Sequence, residues 1–453
     1  MTEPRWTSLP DAVLLRPIFR TGKTYYAVAA FLAGGIAFGA FAWVSQLRGG
    51  LGVTGLNRPV FWGLYITNFV FFIGISHAGT LISAILRLCK AEWRRPITRA
   101  AEMITVIVLF IGMGNVLLDI GRPDRALFVL RHGQLRSPLL WDVCCVTTYL
   151  TASITYLYLP LIPDFAILRD TATRRVWLYR ILALGWHGTP TQQRRLNRLI
   201  SIMAIAVIPI AVSVHTVVSY VFSMTVQPMW HSAIFGPYFV VGAIFSGIAA
   251  LIIVLAILRK IYRLESYLKP VHFSNLGLLL LVMALLWLYF TFCEYITVFY
   301  GGEPSHLSIY YSKMTGEFSP LFWAMVVACF GVPFLLLCNR KTRTIAGTVV
   351  SSAFVCVGMW LERYTIVVPT LSRPRLPYPV GDYSPSWVEW SLTVACFAFL
   401  ALAYMVLSKV FPIISLWEVR EGRTEALEET KVRLRAYYPG SRPSRRPAEK
   451  VTA

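Results

Sequence analysis

Ten apolar stretches, each long enough to cross a bilayer, fill most of this chain and confine it to one kind of fold. They run near 24–47, 60–88, 97–119, 137–162, 199–224, 232–258, 271–300, 318–338, 344–367 and 386–411. A bilayer core takes about 20 apolar residues per helix. Backbone polar groups in hydrocarbon must pair internally, which for uninterrupted stretches of this length means helices. The pattern predicts an all-α polytopic membrane protein with about ten transmembrane helices. Spans two to five and six to nine would form two four-helix bundles, with spans one and ten flanking. Residues 1–23 are then an N-terminal segment, 24–411 the membrane domain and 412–453 a tail. The loop 163–198 carries Arg174, Arg175, Trp177, Arg180 and Trp186 and reads as an interfacial amphipathic helix. The tail reads as a loose, solvated segment. Span two opens Arg58-Pro59-Val60-Phe61-Trp62 and span eight Ser319-Pro320-Leu321-Phe322-Trp323, an echo that suggests an internal repeat.

A net charge of +21 would suit a nucleic-acid binder, but the chain is 56% hydrophobic and only 14% charged. All but ten of its 43 Lys and Arg fall on the side of the N-terminus, the even-to-odd loops and the tail. That is the asymmetry of membrane topology, and it places both termini in the cytoplasm. No nucleic-acid partner is expected. No cleavable leader is expected either, since Met1 to Lys23 carries Pro4, Pro10 and Pro17 and several charges. The eight cysteines form no C-x-x-C, haem-attachment or ferredoxin spacing. Only His77 and His215 lie well inside spans, at different depths along them. No haem or iron–sulfur cluster and no metal site is therefore expected on this chain.

Charges inside a membrane are costly, so each is a candidate for function. Asp119, Asp142, Glu294 and Glu362 with Arg363 fall towards the outer ends of their spans, and His215 lies deeper. Glu102 lies towards the opposite side and His77 near the midplane of span two, and the two could form steps of a proton route from the cytoplasm. Each residue also has a plain structural reading. Asp119 precedes Gly121-Arg122-Pro123 and could only stop a helix. Glu362 could pair with Arg363, and Glu102 with Arg99 at i−3. His215 could serve a helix–helix hydrogen bond. Between spans three and four the outer loop 121–136 carries Arg122, Arg125, Arg131 and Arg136 against the single acid Asp124. This local departure from the charge asymmetry suggests a docking surface for an acidic partner or for lipid head groups.

Several runs resemble one known family. Trp62-Gly63-Leu64-Tyr65-Ile66-Thr67-Asn68-Phe69-Val70, Ser76-His77-Ala78-Gly79-Thr80-Leu81-Ile82-Ser83, Asp119-Ile120-Gly121-Arg122-Pro123 and Ser137-Pro138-Leu139-Leu140-Trp141-Asp142 are similar to the NrfD/PsrC polysulfide-reductase membrane subunits. So are Tyr300-Gly301-Gly302-Glu303-Pro304, Gly358-Met359-Trp360-Leu361-Glu362-Arg363 and Phe411-Pro412-Ile413-Ile414-Ser415. Within that family the chain most resembles the ActC and ActF subunits of bacterial alternative complex III. It keeps the acid of the Trp-Asp pair as Asp142, and has Asp119 where that pattern has a His.

The resemblance implies a multi-pass subunit in the bacterial inner membrane that binds menaquinol or ubiquinol near the periplasmic face. It implies an extrinsic iron–sulfur partner, in some relatives of molybdopterin type, with cytochrome c subunits or a homologous membrane subunit as further partners besides lipids. On that reading Asp119 and Asp142 accept the protons of quinol and Arg122 orients or tunes them. His77, Glu102, His215, Glu294, Glu362 and Arg363 line the site or carry protons, with proton translocation as a further consequence. The chain would act as part of an oxidoreductase rather than as an enzyme alone. Two rivals stay open: a secondary transporter, and a membrane anchor for a molybdopterin reductase.

Overall fold

The computed structural model describes residues 11–171, 175–375 and 378–437. Among the described residues the chain is all helical. Nine helices are long and apolar enough to span a membrane, or ten if one bent pair is a single span. On the side of the termini, α1 (Ala12–Phe19) precedes α2 (Lys23–Gly49), the first span. Next come α3 (Leu64–Leu88), α4 (Thr98–Asp119), the short outer turn α5 (Phe128–Arg131) and α6 (Pro138–Tyr158). α6 bends by 46° into α7 (Leu161–Thr171). The small helix α8 (Val176–Leu182) leads to α9 (Pro190–Ser223), α10 (Phe235–Ile261) and α11 (Pro270–Gly301). An outer helix, α12 (Pro304–Met314), precedes the eighth span, which is α13 (Ser319–Val326), a π-helical turn over Val327–Gly331 and α14 (Val332–Cys338). α15 (Ile345–Ser372), α16 (Trp387–Leu407) and α17 (Leu416–Tyr437) complete the chain. Pro138, Pro190, Pro270, Pro304 and Pro320 each occupy a first helical turn, where the missing N–H costs nothing.

The helices close into two rings. α3, α4, α6 and α9 pack in succession around one, and α10, α11, α13–α14 and α15 around the other. α2 packs on α16, α16 packs against α3 and α4, and Gln46 of α2 hydrogen-bonds Tyr65 of α3 and the Leu118 carbonyl of α4, so the two flanking spans lie together beside the first ring. The first helices of the rings, α3 and α10, run parallel and meet through small residues. Gly74 faces Ala243 and Ser246, and Gly247 faces Ala78 so closely that a Cβ there would lie 2.7 Å from the Ala78 nitrogen. Small residues four apart on each helix give the close approach that membrane helices use where no hydrophobic force drives association. Gly79 does the same towards α4, because a Cβ there would strike the Ala101 carbonyl and the Thr105 hydroxyl. The Ala101 carbonyl belongs to a helix backbone and cannot swing aside. Gly79→Ala is therefore expected to cost about 1–3 kcal/mol, visible as a lower melting temperature of the purified protein in detergent.

The two rings share one order of helix contacts, and in that order the echoing spans two and eight occupy non-equivalent places. The equivalent pair is α6 and α13, which open Ser137-Pro138-Leu139-Leu140-Trp141 and Ser319-Pro320-Leu321-Phe322-Trp323. In each, the indole N–H turns back to a carbonyl just before the helix: Trp141 to Leu135 at 2.6 Å, Trp323 to Met314 at 3.1 Å. The next residue is Asp142 in one ring and Ala324 in the other.

The loop 163–198 is α7, α8 and the start of α9, with Trp177 exposed and Tyr179 buried on α8. Arg174 lies outside the described residues, as do 1–10 and the Pro- and Arg-rich end of the tail, 438–453. The first half of the tail is not loose. Asp164 accepts hydrogen bonds from the Leu416 and Trp417 amides at the start of α17 and from Arg99 at 2.8 Å. Glu418 draws in Arg87 and Arg94, and Asp11 holds Arg420 and Arg423. These buried acids fix α17 across the ends of the spans.

Candidate functional site

The first ring carries Asp119 at the end of α4 and Asp142 in the second turn of α6, and these two helices pack on each other. In each carboxylate, Oδ1 is buried without a hydrogen-bond partner among the described residues. That is unusual for a group so costly to desolvate. Arg122 stands apart from both. It is exposed and forms no ion pair among the described residues.

Beside Asp119 lies a polar network in which Glu389, at the start of α16, is fully buried and within electrostatic reach of Asp119. Glu389 accepts from the Gly55 amide at 2.7 Å, the Ser386 amide at 2.9 Å and the Tyr383 hydroxyl. Tyr65 donates to Gln46 at 2.7 Å, and Gln46 in turn donates to the Leu118 carbonyl at 2.8 Å. The two flanking spans thus close one side of the acid. Glu389 was not foreseen among the candidates, though Ser386-Trp387-Val388-Glu389 carries the capping signature S-x-x-E.

The second ring holds a different cluster. Glu362 and Arg363 are 1% and 2% exposed and lie 3.0 Å apart. Adjacent residues on a helix do not face each other squarely, and their contact lacks hydrogen-bond alignment: Glu362 Oε2 and both Arg363 Nη atoms are without a hydrogen-bond partner among the described residues. Trp287 donates to the other Glu362 oxygen at 2.6 Å, and the Arg363 guanidinium lies 4.7 Å from the Phe239 ring centre. Towards the outer surface, Glu294 accepts from Ser232 at 2.7 Å, with the Lys313 ammonium within electrostatic reach. Burial pushes Lys313, on the outer helix α12, down to about 8, against the opposing pull of Glu294. Lys313 had no sequence signal, since α12 reads as a polar loop.

Within the first ring the two histidines of α3 and α9 meet. The ring centres of His77 and His215 are 3.8 Å apart, although counting along each span had put them at different depths. His77 Nε2 lies 2.8 Å from the Ala211 carbonyl oxygen, while neither His215 nitrogen has a hydrogen-bond partner among the described residues. Tyr149 packs beside His77, and Arg363 is within electrostatic reach of His215. Towards the side of the termini, Glu102 accepts from Ser83 at 2.8 Å, and Ser83 contacts the Tyr156 hydroxyl at 3.1 Å. Glu102 is not ion-paired with Arg99, which is committed to Asp164. Among the described residues no group of three His, Cys, Asp or Glu side chains could hold a metal ion.

The family model described as polysulphide reductase, NrfD, matches residues 52–374, which include α3 to α15 and every acid and histidine of these clusters except Glu389. The chain belongs to the NrfD family. It is 25% identical to a selenate reductase subunit of Mesobacillus selenatarsenatis, over 87% of this chain and 95% of that protein. It is 23% identical to the Hdr-like menaquinol oxidoreductase integral membrane subunit of Archaeoglobus fulgidus, over 90% and 99%. With the menaquinone reductase integral membrane subunit of Nitratidesulfovibrio vulgaris it shares 25% identity, over 85% and 90%. The match thus runs over nearly the full length of these relatives.

Proposed function

We propose that this chain is the quinone-exchanging membrane subunit of a multi-subunit oxidoreductase. The observation that carries this reading is the pair of buried carboxylate oxygens of Asp119 and Asp142, without a hydrogen-bond partner among the described residues, on neighbouring helices at the end of the membrane away from the termini. Menaquinol or ubiquinol oxidation releases two electrons and two protons. The two acids provide bases for the protons, which must lie within hydrogen-bond reach of the hydroxyls they serve. The electrons leave to an extrinsic iron–sulfur subunit on the same face. The exposed Arg122, Arg125, Arg131 and Arg136 suit docking of an acidic partner there. The charge asymmetry supports placing that face in the periplasm and both termini in the cytoplasm. The names of the Archaeoglobus and Nitratidesulfovibrio relatives, a menaquinol oxidoreductase and a menaquinone reductase subunit, support the substrate class.

A proton route accompanies this site. It would run from Glu102 and the His77–His215 contact in the first ring, through Arg363, which is within electrostatic reach of His215, to Glu362 and Glu294 in the second, since buried ionisable groups in series are the usual makings of a relay. A transporter built on a repeat would instead need matched helix breaks around a midplane site. The α6–α7 bend follows Tyr158, whereas the π turn begins after Val326, early in the equivalent span, so the breaks do not match.

The test is affinity purification of the tagged chain from native membranes, followed by an assay of quinol-dependent electron transfer. The expected result is a co-purifying iron–sulfur or molybdopterin subunit that is reduced by a quinol. A stable chain with no redox partner, able to move a solute across liposomes, would sink the reading.

A further inference from the structure

The outer helix α12 turns a lysine into the second ring. α11 passes into α12 through Gly302, in the left-handed region at φ 68° that suits glycine. At the other end the Gly316 and Phe318 amides donate to the Tyr311 and Ser312 carbonyls at 2.9 and 3.0 Å. Held at both ends, α12 packs on α11, α13 and α15. Its buried residues are Ile309, Ser312 and Lys313, spaced as one face of a helix. Lysine is out of place on that face, since a buried ammonium loses its hydration and is normally paired. Lys313 is 3% exposed, yet it makes no ion pair or hydrogen bond among the described residues. The Tyr295 ring centre lies 5.9 Å from its ammonium.

Lys313 lines a cavity of about 20 Å³ together with Glu294, Glu362, Tyr238 and Thr365. All five are buried. Glu362 Oε2 has no hydrogen-bond partner among the described residues. The Tyr238 hydroxyl lies 3.2 Å from that of Thr291, with Glu362 within electrostatic reach. The indoles nearby are already committed, Trp230 to the Ile366 carbonyl at 2.8 Å and Trp287 to the other Glu362 oxygen. A buried water needs about 10–15 Å³ and a few polar partners, and this cavity meets both needs.

We propose that this cavity holds water joining Glu362 and Glu294 to Lys313, and that Lys313 is a fixed positive charge there which opposes the entry of protons from outside. A dry lysine and an acid with an unmet oxygen would each bear the full cost of burial, which a shared water relieves. The charge matters because Coulomb energies are large where water is scarce. A proton entering past α12 meets the ammonium before it reaches Glu362, whereas one delivered from Glu362 is driven outward. The water stands on the cavity alone, while the role of the charge rests on the proton route proposed above.

Two measurements test this, both on the full chain with its co-purifying subunits. In radiolytic footprinting, X-rays split water where it is bound and mark the side chains beside it. Met325 lines the cavity at 2% exposure and is expected to be oxidised, whereas Met103, buried away from the cavity, is not. A silent Met325 would overturn the water. In proteoliposomes, a pH gradient acidic on the side of α12 is expected to leak protons about tenfold or more faster through Lys313→Met than through the wild type. Lys313→Arg keeps the charge and is expected to leak like the wild type. Where Lys313→Met fails to assemble, Lys313→Gln gives the same readout. Equal leaks in Lys313→Met and the wild type, or a leak as high in Lys313→Arg as in Lys313→Met, would overturn the role of the charge. Quinol oxidation by the same samples keeps the two readings apart. Turnover with equal leaks overturns the charge alone, whereas an oxidised Met325 and a raised leak without turnover uphold the proposal and overturn the quinol reading.

Discussion

Asp142→Asn should lower quinol oxidation by about 10²–10⁴-fold, the range expected when a positioned general base is lost, while the protein still assembles. Asparagine has nearly the same shape and can still hydrogen-bond, but it cannot take a proton. The Oδ1 atom of Asp142 has no hydrogen-bond partner among the described residues, so the exchange breaks no protein contact at that oxygen. Asp119→Asn should act in the same way. If the acids serve one quinol, the double variant should be little worse than either single one, because groups that act as a unit do not add. Glu389→Gln provides the contrast. Glu389 accepts from two backbone amides at one oxygen and from the Tyr383 hydroxyl at the other. A glutamine would keep the amides on its carbonyl oxygen but turn its NH2 towards a hydroxyl that already accepts from the Leu64 amide, and would lower stability first. The measurement is steady-state quinol oxidation by the purified complex, with the presence of every subunit verified on the same sample. Unchanged turnover of an intact Asp142→Asn complex would remove this acid from the mechanism.

The helices were legible in the sequence because hydrocarbon leaves a long apolar segment no alternative to pairing its backbone internally. The helix breaks were harder to read. The α6–α7 bend and the π turn in the eighth span fall inside apolar runs whose hydropathy hardly changes across them. The acids near the outer face were found by counting along each span, but counting failed for the histidines. It treats spans as upright rods, whereas α3 and α9 pack so as to bring His77 and His215 together. Pairing was the least legible feature. Asp11 and Arg423 are 412 positions apart, and nothing local in a charged tail says that its first helix will be pinned to the loops. In the same way Arg99 lies one turn from Glu102, yet it pairs with Asp164 from another helix, which leaves Glu102 to a serine. In the first ring the acids foreseen as a site are those with oxygens left unpartnered, whereas Glu389, which was missed, is the acid whose oxygens are fully engaged.

Arg363→Met should destabilise the protein by about 3–5 kcal/mol, the usual cost of stripping one partner from a buried ion pair. Glu362 would keep the Trp287 indole at 2.6 Å but lose the only cation within ion-pair distance among the described residues. Phe239 would also lose the guanidinium that lies over its ring. Adding Glu362→Gln should recover most of the stability, since removing both charges is often neutral or favourable where removing one is not. The double variant then separates two roles that a single variant confuses. If the pair only holds α15 in the second ring, the rescued protein should oxidise quinol and move protons like the wild type. If it is a step in the route from the histidines to Glu294, the rescued protein should be stable yet fail to acidify the outside of proteoliposomes when quinol is oxidised. Thermal melting in detergent and proton release in proteoliposomes, measured on both variants, decide between them. The poor alignment of the two charges favours the second outcome, because a pair kept only for structure gains most when all its hydrogen bonds are made. Here Glu362 Oε2 and both terminal nitrogens of Arg363 have no hydrogen-bond partner among the described residues, and neither has either nitrogen of His215.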